Sequence, residues 1–156
     1  MVYSTEVQYA APSAARAFSV IGAHGGAGTT TVTHWLDPQG ETGTMELIPG
    51  SHLQPGYTPV VVARSTAYGV HAAVQLLGRW HPDVPRPFLV VVRDAPLSLP
   101  RPVAYRLKAI KPRVLGIAEV PYLVRLRDTH RPAEAMQHRA VQKAAGRLRV
   151  ALGLPH

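Results

Sequence analysis

The residues best placed to do chemistry are the run His24-Gly25-Gly26-Ala27-Gly28-Thr29-Thr30-Thr31. A loop that wraps an anion needs backbone conformations that glycine alone adopts at low cost. Its amides then converge on the anion, and the N-terminus of the following helix adds a favourable dipole. Gly25, Gly26 and Gly28 meet the first requirement, and the hydroxyls of Thr29, Thr30 and Thr31 follow. Thr30, or alternatively Thr31, is spaced to offer its oxygen to Mg²⁺ or phosphate. The full phosphate-loop pattern is G-x-x-x-x-G-K-[ST]. Alignment on Gly28 puts Thr29 at the lysine and Ala23 at the first glycine. That lysine stabilises the charge that moves in phosphoryl transfer, and threonine carries none. Phosphate binding without efficient hydrolysis is therefore the expected chemistry, with no catalytic residue assigned. A protonated His24 would return part of the missing charge. The plainer alternatives are a tight strand-to-helix turn without a ligand, and a solvated loop imidazole.

The elements around this run must place it at the end of a strand. Residues 17–22 (AFSVIG) are a short apolar run of the buried-strand kind, and the hydroxyl-rich start of a helix follows the glycines. Asp37-Pro38 stops that helix, because a residue before proline is pushed out of the helical region. Residues 37–58 read as loop, with a strand candidate over 45–48. Further on, continuous apolar strands over 59–63, 87–92 and 113–119 alternate with helical spacings over 68–80 and 102–110. A long amphipathic helix with a basic face closes the chain over 133–152. Strands apolar throughout, alternating with helices, are buried on both faces and run parallel. The expected fold is a three-layer α/β sandwich with a mostly parallel sheet, one domain over residues 17–156 preceded by a tail over 1–16.

Composition narrows the function classes. With no cysteine there is no disulfide framework and no Cys-based zinc or redox site. An apolar content of 46% is too high for a disordered polyelectrolyte. No apolar run approaches the roughly 18 residues of a membrane span, and the first cation, Arg16, is too late for a secretory leader. A cytoplasmic protein without stable membrane insertion is expected. The net charge of +8 is unevenly spread. Residues 1–63 hold one cation against four acids, and residues 64–156 hold 16 cations against five acids. Arg101, Arg106, Lys108, Lys111, Arg139, Lys143 and Arg147 would suit a nucleic-acid phosphate face, a second reading of function. No helix-turn-helix, RNP-type aromatic run or zinc finger accompanies them, and pairing within the protein explains them equally well. The eight histidines include no H-x₃-H or H-E-x-x-H pair. Asp94, at the end of an expected buried strand, could read a base or ribose, or merely cap its own turn. A third reading is a ligand-free interaction subunit.

The segment VIGAHGGAGTTTVTHWL resembles the deviant Walker loop of the MinD/ParA-like P-loop ATPases, whose pattern runs K-G-G-x-G-K-[ST]-[ST]. His24 stands at the signature lysine, Gly25, Gly26 and Gly28 match, Thr29 replaces the second lysine, and Thr30 and Thr31 match. The resemblance extends in order over about residues 17–128, and its specific part is the loop. It implies a P-loop NTPase-like fold and ATP or another nucleotide bound with Mg²⁺, the metal held at Thr30. It further implies that Asp94, Pro121 and Tyr122 lie near the base. Both signature lysines are gone, and the strand over 59–63 runs into Arg64-Ser65 where the family has its Walker B aspartate. A short degenerate branch is implied, a pseudo-ATPase serving as accessory or regulatory subunit of a larger bacterial machine linked to DNA transfer. A protein partner is expected, and a homodimer is compatible with the loop. Asp37, Glu41 and Glu46 are the acids available in the compressed region after the loop, with Glu46 and Asp37 the candidates for a displaced metal acid.

Overall fold

The computed structural model describes residues 16–48 and 50–155. The chain runs β1 (Phe18–Gly22), α1 (Thr29–Leu36), β2 (Met45–Leu47), β3 (Thr58–Arg64), α2 (Ala67–Gly78), β4 (Phe88–Val92) and α3 (Arg101–Ile110). A 3₁₀ turn (Lys111–Arg113), β5 (Gly116–Val120), α4 (Val124–Asp128), α5 (Pro132–Ala135) and α6 (Arg139–Ala151) complete it. The tail expected over 1–16 lies outside the described residues except for Arg16. That residue belongs to the domain, donating from its guanidinium to the Leu152 carbonyl at 3.2 Å.

All five strands are parallel, in the order β2-β1-β3-β4-β5. The α/β class and the parallel sheet expected from the unbroken apolar runs are both present. Alternation along each strand divides the core in two. Phe18, Val20, Val60, Val62, Val90 and Val92 face one layer, where Val32, Trp35 and Leu36 of α1, Ala135 of α5 and Val141 and Leu148 of α6 cover them. Val61, Ala63, Leu89 and Val91 face the other, under Val70, Ala73 and Leu77 of α2 and Val103, Leu107 and Ile110 of α3. The helices thus form layers on both sides of the sheet.

The last strand begins later than its sequence pattern suggests, because Lys111–Arg113 coils into the 3₁₀ turn and Val114 N–H bonds back to the Lys111 carbonyl. The single helix expected over 133–152 is two. Its first turn, α5, buries Ala135 against α1, and the chain then redirects at Met136–His138 before α6. The break frees the Met136 carbonyl, and the Gln142 side-chain amide donates to it at 2.7 Å. It also shifts the helical phase, so Val141 is buried where the uninterrupted spacing would have buried Ala140, which is exposed. Gly153, in left-handed conformation, ends α6 with Leu154 N–H bonding back to the Arg149 carbonyl.

One core position carries a liability. Ser19 in β1 is fully buried, and its hydroxyl has no hydrogen-bond partner among the described residues. A buried, unsatisfied hydroxyl costs about 1–3 kcal/mol. Ser19→Ala is expected to raise the stability by about 1 kcal/mol, a Tm increase of roughly 2–4 °C in a thermal melt.

Candidate functional site

The chain changes its direction of growth between β1 and β3. From β1 it passes outward to the edge strand β2, and from β3 it proceeds the other way to β4 and β5. In doubly wound sheets of this order, ligands bind outside the carboxyl ends of the strands at that switch point. The Gly-rich loop leaves the end of β1 there, and Arg64, Ser65 and Thr66 leave the end of β3 beside it. The Ala23 N–H donates to the Val62 carbonyl, and the Ser65 N–H to the Val92 carbonyl, each at 2.9 Å. The mouth of the site is therefore built on ladder bonds that outlast the strands.

The loop has the backbone of an anion cradle. Gly26 and Gly28 sit at φ 74° and 101°, a region that a side chain makes costly. Gly28 is the N-cap of α1 and brings no side-chain cap. Among the described residues, none of the amides from Gly25 to Thr31 donates to an acceptor of the chain. The first to do so is Val32, to the Gly28 carbonyl at 3.1 Å. Unused donors at a helix start, with the helix dipole behind them, form a ready anion site.

The threonines differ in what they meet. Thr30 Oγ1 donates to Glu46 Oε1 at 2.8 Å, joining α1 to the exposed edge strand β2. Thr29 Oγ1 turns back toward β1, into the space left by Gly22, where a Cβ would stand 2.7 Å from it. Thr31 lines cavities on both sides of α1. Of the two candidate metal acids, only Glu46 is brought to the loop. Asp37 caps its own turn, accepting from the Glu41 N–H at 2.8 Å and the Thr42 N–H at 3.2 Å. Burial pushes its carboxyl up, but the Thr42 hydroxyl and the amides of Glu41, Thr42 and Thr44 outweigh that and hold it below the usual carboxylate range.

His24 has both ring nitrogens engaged. Its Nε2 accepts the Arg64 N–H at 3.0 Å, and its Nδ1 lies 2.9 Å from the Gly25 carbonyl. An amide can only donate and a carbonyl can only accept, so Nε2 is the acceptor and Nδ1 the donor in these contacts. The imidazole ties the loop to the end of β3. The cation over the loop is Arg64, the residue that ends β3. Its Nε donates to the Gly26 carbonyl at 2.9 Å, and its guanidinium lies 3.8 Å from Asp94 Oδ1. About a third of this side chain (32%) stays exposed, so it can still reach a ligand.

A cavity of about 1070 Å³ opens from the loop, at the upper end of the range for small-molecule sites. Among the described residues, Arg64 and Arg79 line it with Glu46 as the one acid, so its field favours anions. Asp94, Pro121 and Tyr122 are not brought into it. Pro121 and Tyr122 line a second cavity of about 60 Å³ behind Gly28 and Thr31. Asp94 is spent on ion pairs. Arg127 reaches its Oδ1 at 3.2 Å and its carbonyl at 2.9 Å while lying over the Tyr122 ring, 5.3 Å from the centroid. Trp35, whose buried indole N–H has no partner among the described residues, also lines this smaller space.

The basic residues do not form one face. Arg101, Arg106, Lys108 and Lys111 belong to α3 and the turn after it, whereas Arg139, Lys143 and Arg147 are exposed on α6 across the sheet. Arg106 reaches back to His71 Nδ1 at 3.4 Å, next to the large cavity. Arg149 donates to the Trp35 and Leu36 carbonyls at 3.1 and 2.9 Å, stabilising the C-terminus of α1. Among the described residues, no three His, Asp or Glu side chains group as a metal site, and no helix is long and apolar enough to cross a membrane.

Sequence reasoning did not single out Arg64 or Tyr68 as site residues. The signal for Arg64 was its place as the last residue of the strand beside the loop strand, legible once the strand order is known. No protein-family model, curated protein or solved structure matches this chain.

Proposed function

We propose that this chain is a degenerate P-loop-like protein of MinD/ParA-like character that binds a nucleotide and does not hydrolyse it efficiently. The observation that carries the reading is the Gly-rich loop at the sheet's switch point. Its amides from Gly25 to Thr31 are free of intrachain acceptors among the described residues, and Arg64 is tied to its Gly26 carbonyl. Phosphate oxygens satisfy those amides, and Arg64 supplies charge that the missing lysines would have brought. Arginine's fork suits phosphate at least as well as an ammonium does.

Thr30 and Glu46 fit Mg²⁺ as hard oxygen donors 2.8 Å apart. Two protein oxygens do not make a complete cage, and Mg²⁺ usually completes its shell with substrate phosphates and water. The metal would therefore arrive with the nucleotide. Glu46 is exposed on an edge strand and bonded to Thr30, a poor position from which to orient an attacking water as well. The protein accordingly acts by binding, as a cytoplasmic accessory or regulatory subunit of a bacterial assembly linked to DNA transfer. The cations of the nucleic-acid reading are divided between opposite layers, so one continuous face does not support it.

Thermal melting with Mg-ATP, Mg-GTP or Mg-ADP tests this. A ligand at 100 times its Kd stabilises by about 2.7 kcal/mol, so a Tm rise of several degrees is expected. No shift with any of the three at millimolar concentration would overturn the proposal.

A further inference from the structure

The large cavity offers more than phosphate chemistry. From the loop it extends along one side of α2, where Tyr68, His71, Gln75 and Arg79 follow one another at helical spacing, and the β2–β3 segment contributes Ile48. Tyr68 and Ile48 are 71% and 76% exposed. A solitary exposed hydrophobe needs no explanation, but two on the walls of one cavity beside an anion cradle describe an apolar compartment. The Tyr68 ring also has an aromatic neighbour. The His24 ring meets it edge-on, 5.6 Å between centroids and 69° between planes, and His24 is itself tied at both nitrogens.

The groups further along α2 suit the edge of a base. His71 Nδ1 accepts from Arg106, which leaves its Nε2–H as a donor, and the Gln75 amide offers both a donor and an acceptor. Gln75 lies seven residues beyond Tyr68, roughly 10 Å along the helix axis. The alternative compartment is unsuitable. The space at Pro121 and Tyr122 is about 60 Å³, with Tyr122 covered by Arg127 and Asp94 already ion-paired. We infer that the ligand is a nucleoside 5′-diphosphate or triphosphate whose base stacks on Tyr68 and lies along α2 toward Gln75. The inference rests on the phosphate-binding reading above and adds the place of the nucleoside.

Calorimetric titration of the full chain with Mg²⁺ and ATP, ADP or inorganic tripolyphosphate tests it. Stacking on an aromatic side chain is worth about 1–3 kcal/mol per base. ATP is therefore expected to bind the unaltered protein at least about tenfold more tightly than tripolyphosphate. Tyr68→Ala is expected to lose about tenfold in ATP affinity and leave tripolyphosphate binding unchanged, while Tyr68→Phe and Tyr122→Ala retain ATP binding. The inference is overturned if ATP binds no more tightly than tripolyphosphate, if Tyr68→Ala binds ATP normally, or if Tyr122→Ala loses it. Those outcomes leave the phosphate cradle standing. Failure of ATP, ADP and tripolyphosphate alike to bind, together with no melting shift from Mg-GTP, would overturn both readings.

Discussion

Arg64→Gln is expected to weaken Mg-ATP and Mg-ADP binding by about 10- to 100-fold, the range set by charge-assisted hydrogen bonds worth roughly 1.5–3 kcal/mol. Neither signature lysine position of the loop holds a lysine, since Thr29 has no charge and the His24 ring is engaged at both nitrogens by the loop and by the end of β3. Arg64 is the guanidinium bonded to the loop itself. Removing it leaves bound phosphates facing amides and a helix dipole without a compensating cation. The fold should change little, because the side chain is one-third exposed and its contact with Asp94 is a loose 3.8 Å. Exposed pairs of this kind contribute about 0–1 kcal/mol. The bond that anchors His24 comes from the Arg64 backbone N–H and survives the substitution. Arg64→Lys keeps the charge, loses the planar fork and should fall between the two. Equal affinity in Arg64→Gln and the unaltered protein, with unchanged melting of the free proteins, would show that Arg64 brings no charge to the ligand.

How much of this was legible depends on what each feature is made of. The unbroken apolar runs at 59–63 and 87–92 could only be strands covered on both faces, and the parallel sheet with helices on either side followed from them. Glycines 25, 26 and 28 between strand and helix marked the loop, because the positive φ of Gly26 and Gly28 leaves a compositional trace. Strand order leaves none. It depends on which edges pair, and so the placement of Arg64 over Gly26 and of Glu46 beside Thr30 came only with the fold. His24 shows the same limit from the other side. Its identity suggests charge near phosphate, but its role is set by a backbone amide forty residues away. The break at Met136–His138 was hidden because no proline or glycine marks it. It comes from packing Ala135 against α1, with Gln142 supplying the lost hydrogen bond.

Gly69→Ala is expected to destabilise the protein by about 2 kcal/mol, within the usual range for overpacking, whereas Gly78→Ala in the same helix should stabilise it by up to about 1 kcal/mol. Alanine is the better helix former at both positions, so propensity alone predicts two gains. The surroundings decide the sign. A Cβ at Gly78 meets nothing within 4 Å. At Gly69 it would stand 2.4 Å from the Arg64 carbonyl oxygen, 2.9 Å from His24 Nε2 and 3.0 Å from the Arg64 carbonyl carbon. Two of those atoms are backbone at the end of the central strand, and the third is a ring bonded at both nitrogens, so none yields by a side-chain rotation. The helix start must lift instead, straining the Thr66 cap that receives the Gly69 N–H at 2.9 Å. It would also separate His24 from Arg64 and carry Tyr68 away from the loop. Urea or thermal unfolding of the two variants measures the difference, with Gly69→Ala melting roughly 4–8 °C lower than the unaltered protein. Nucleotide affinity should fall in the same variant, since the clash lies at the joint between loop, strand and helix. Equal stability of Gly69→Ala and Gly78→Ala would mean that α2 is free to move off β3, and the close approach that builds the site would not be a constraint.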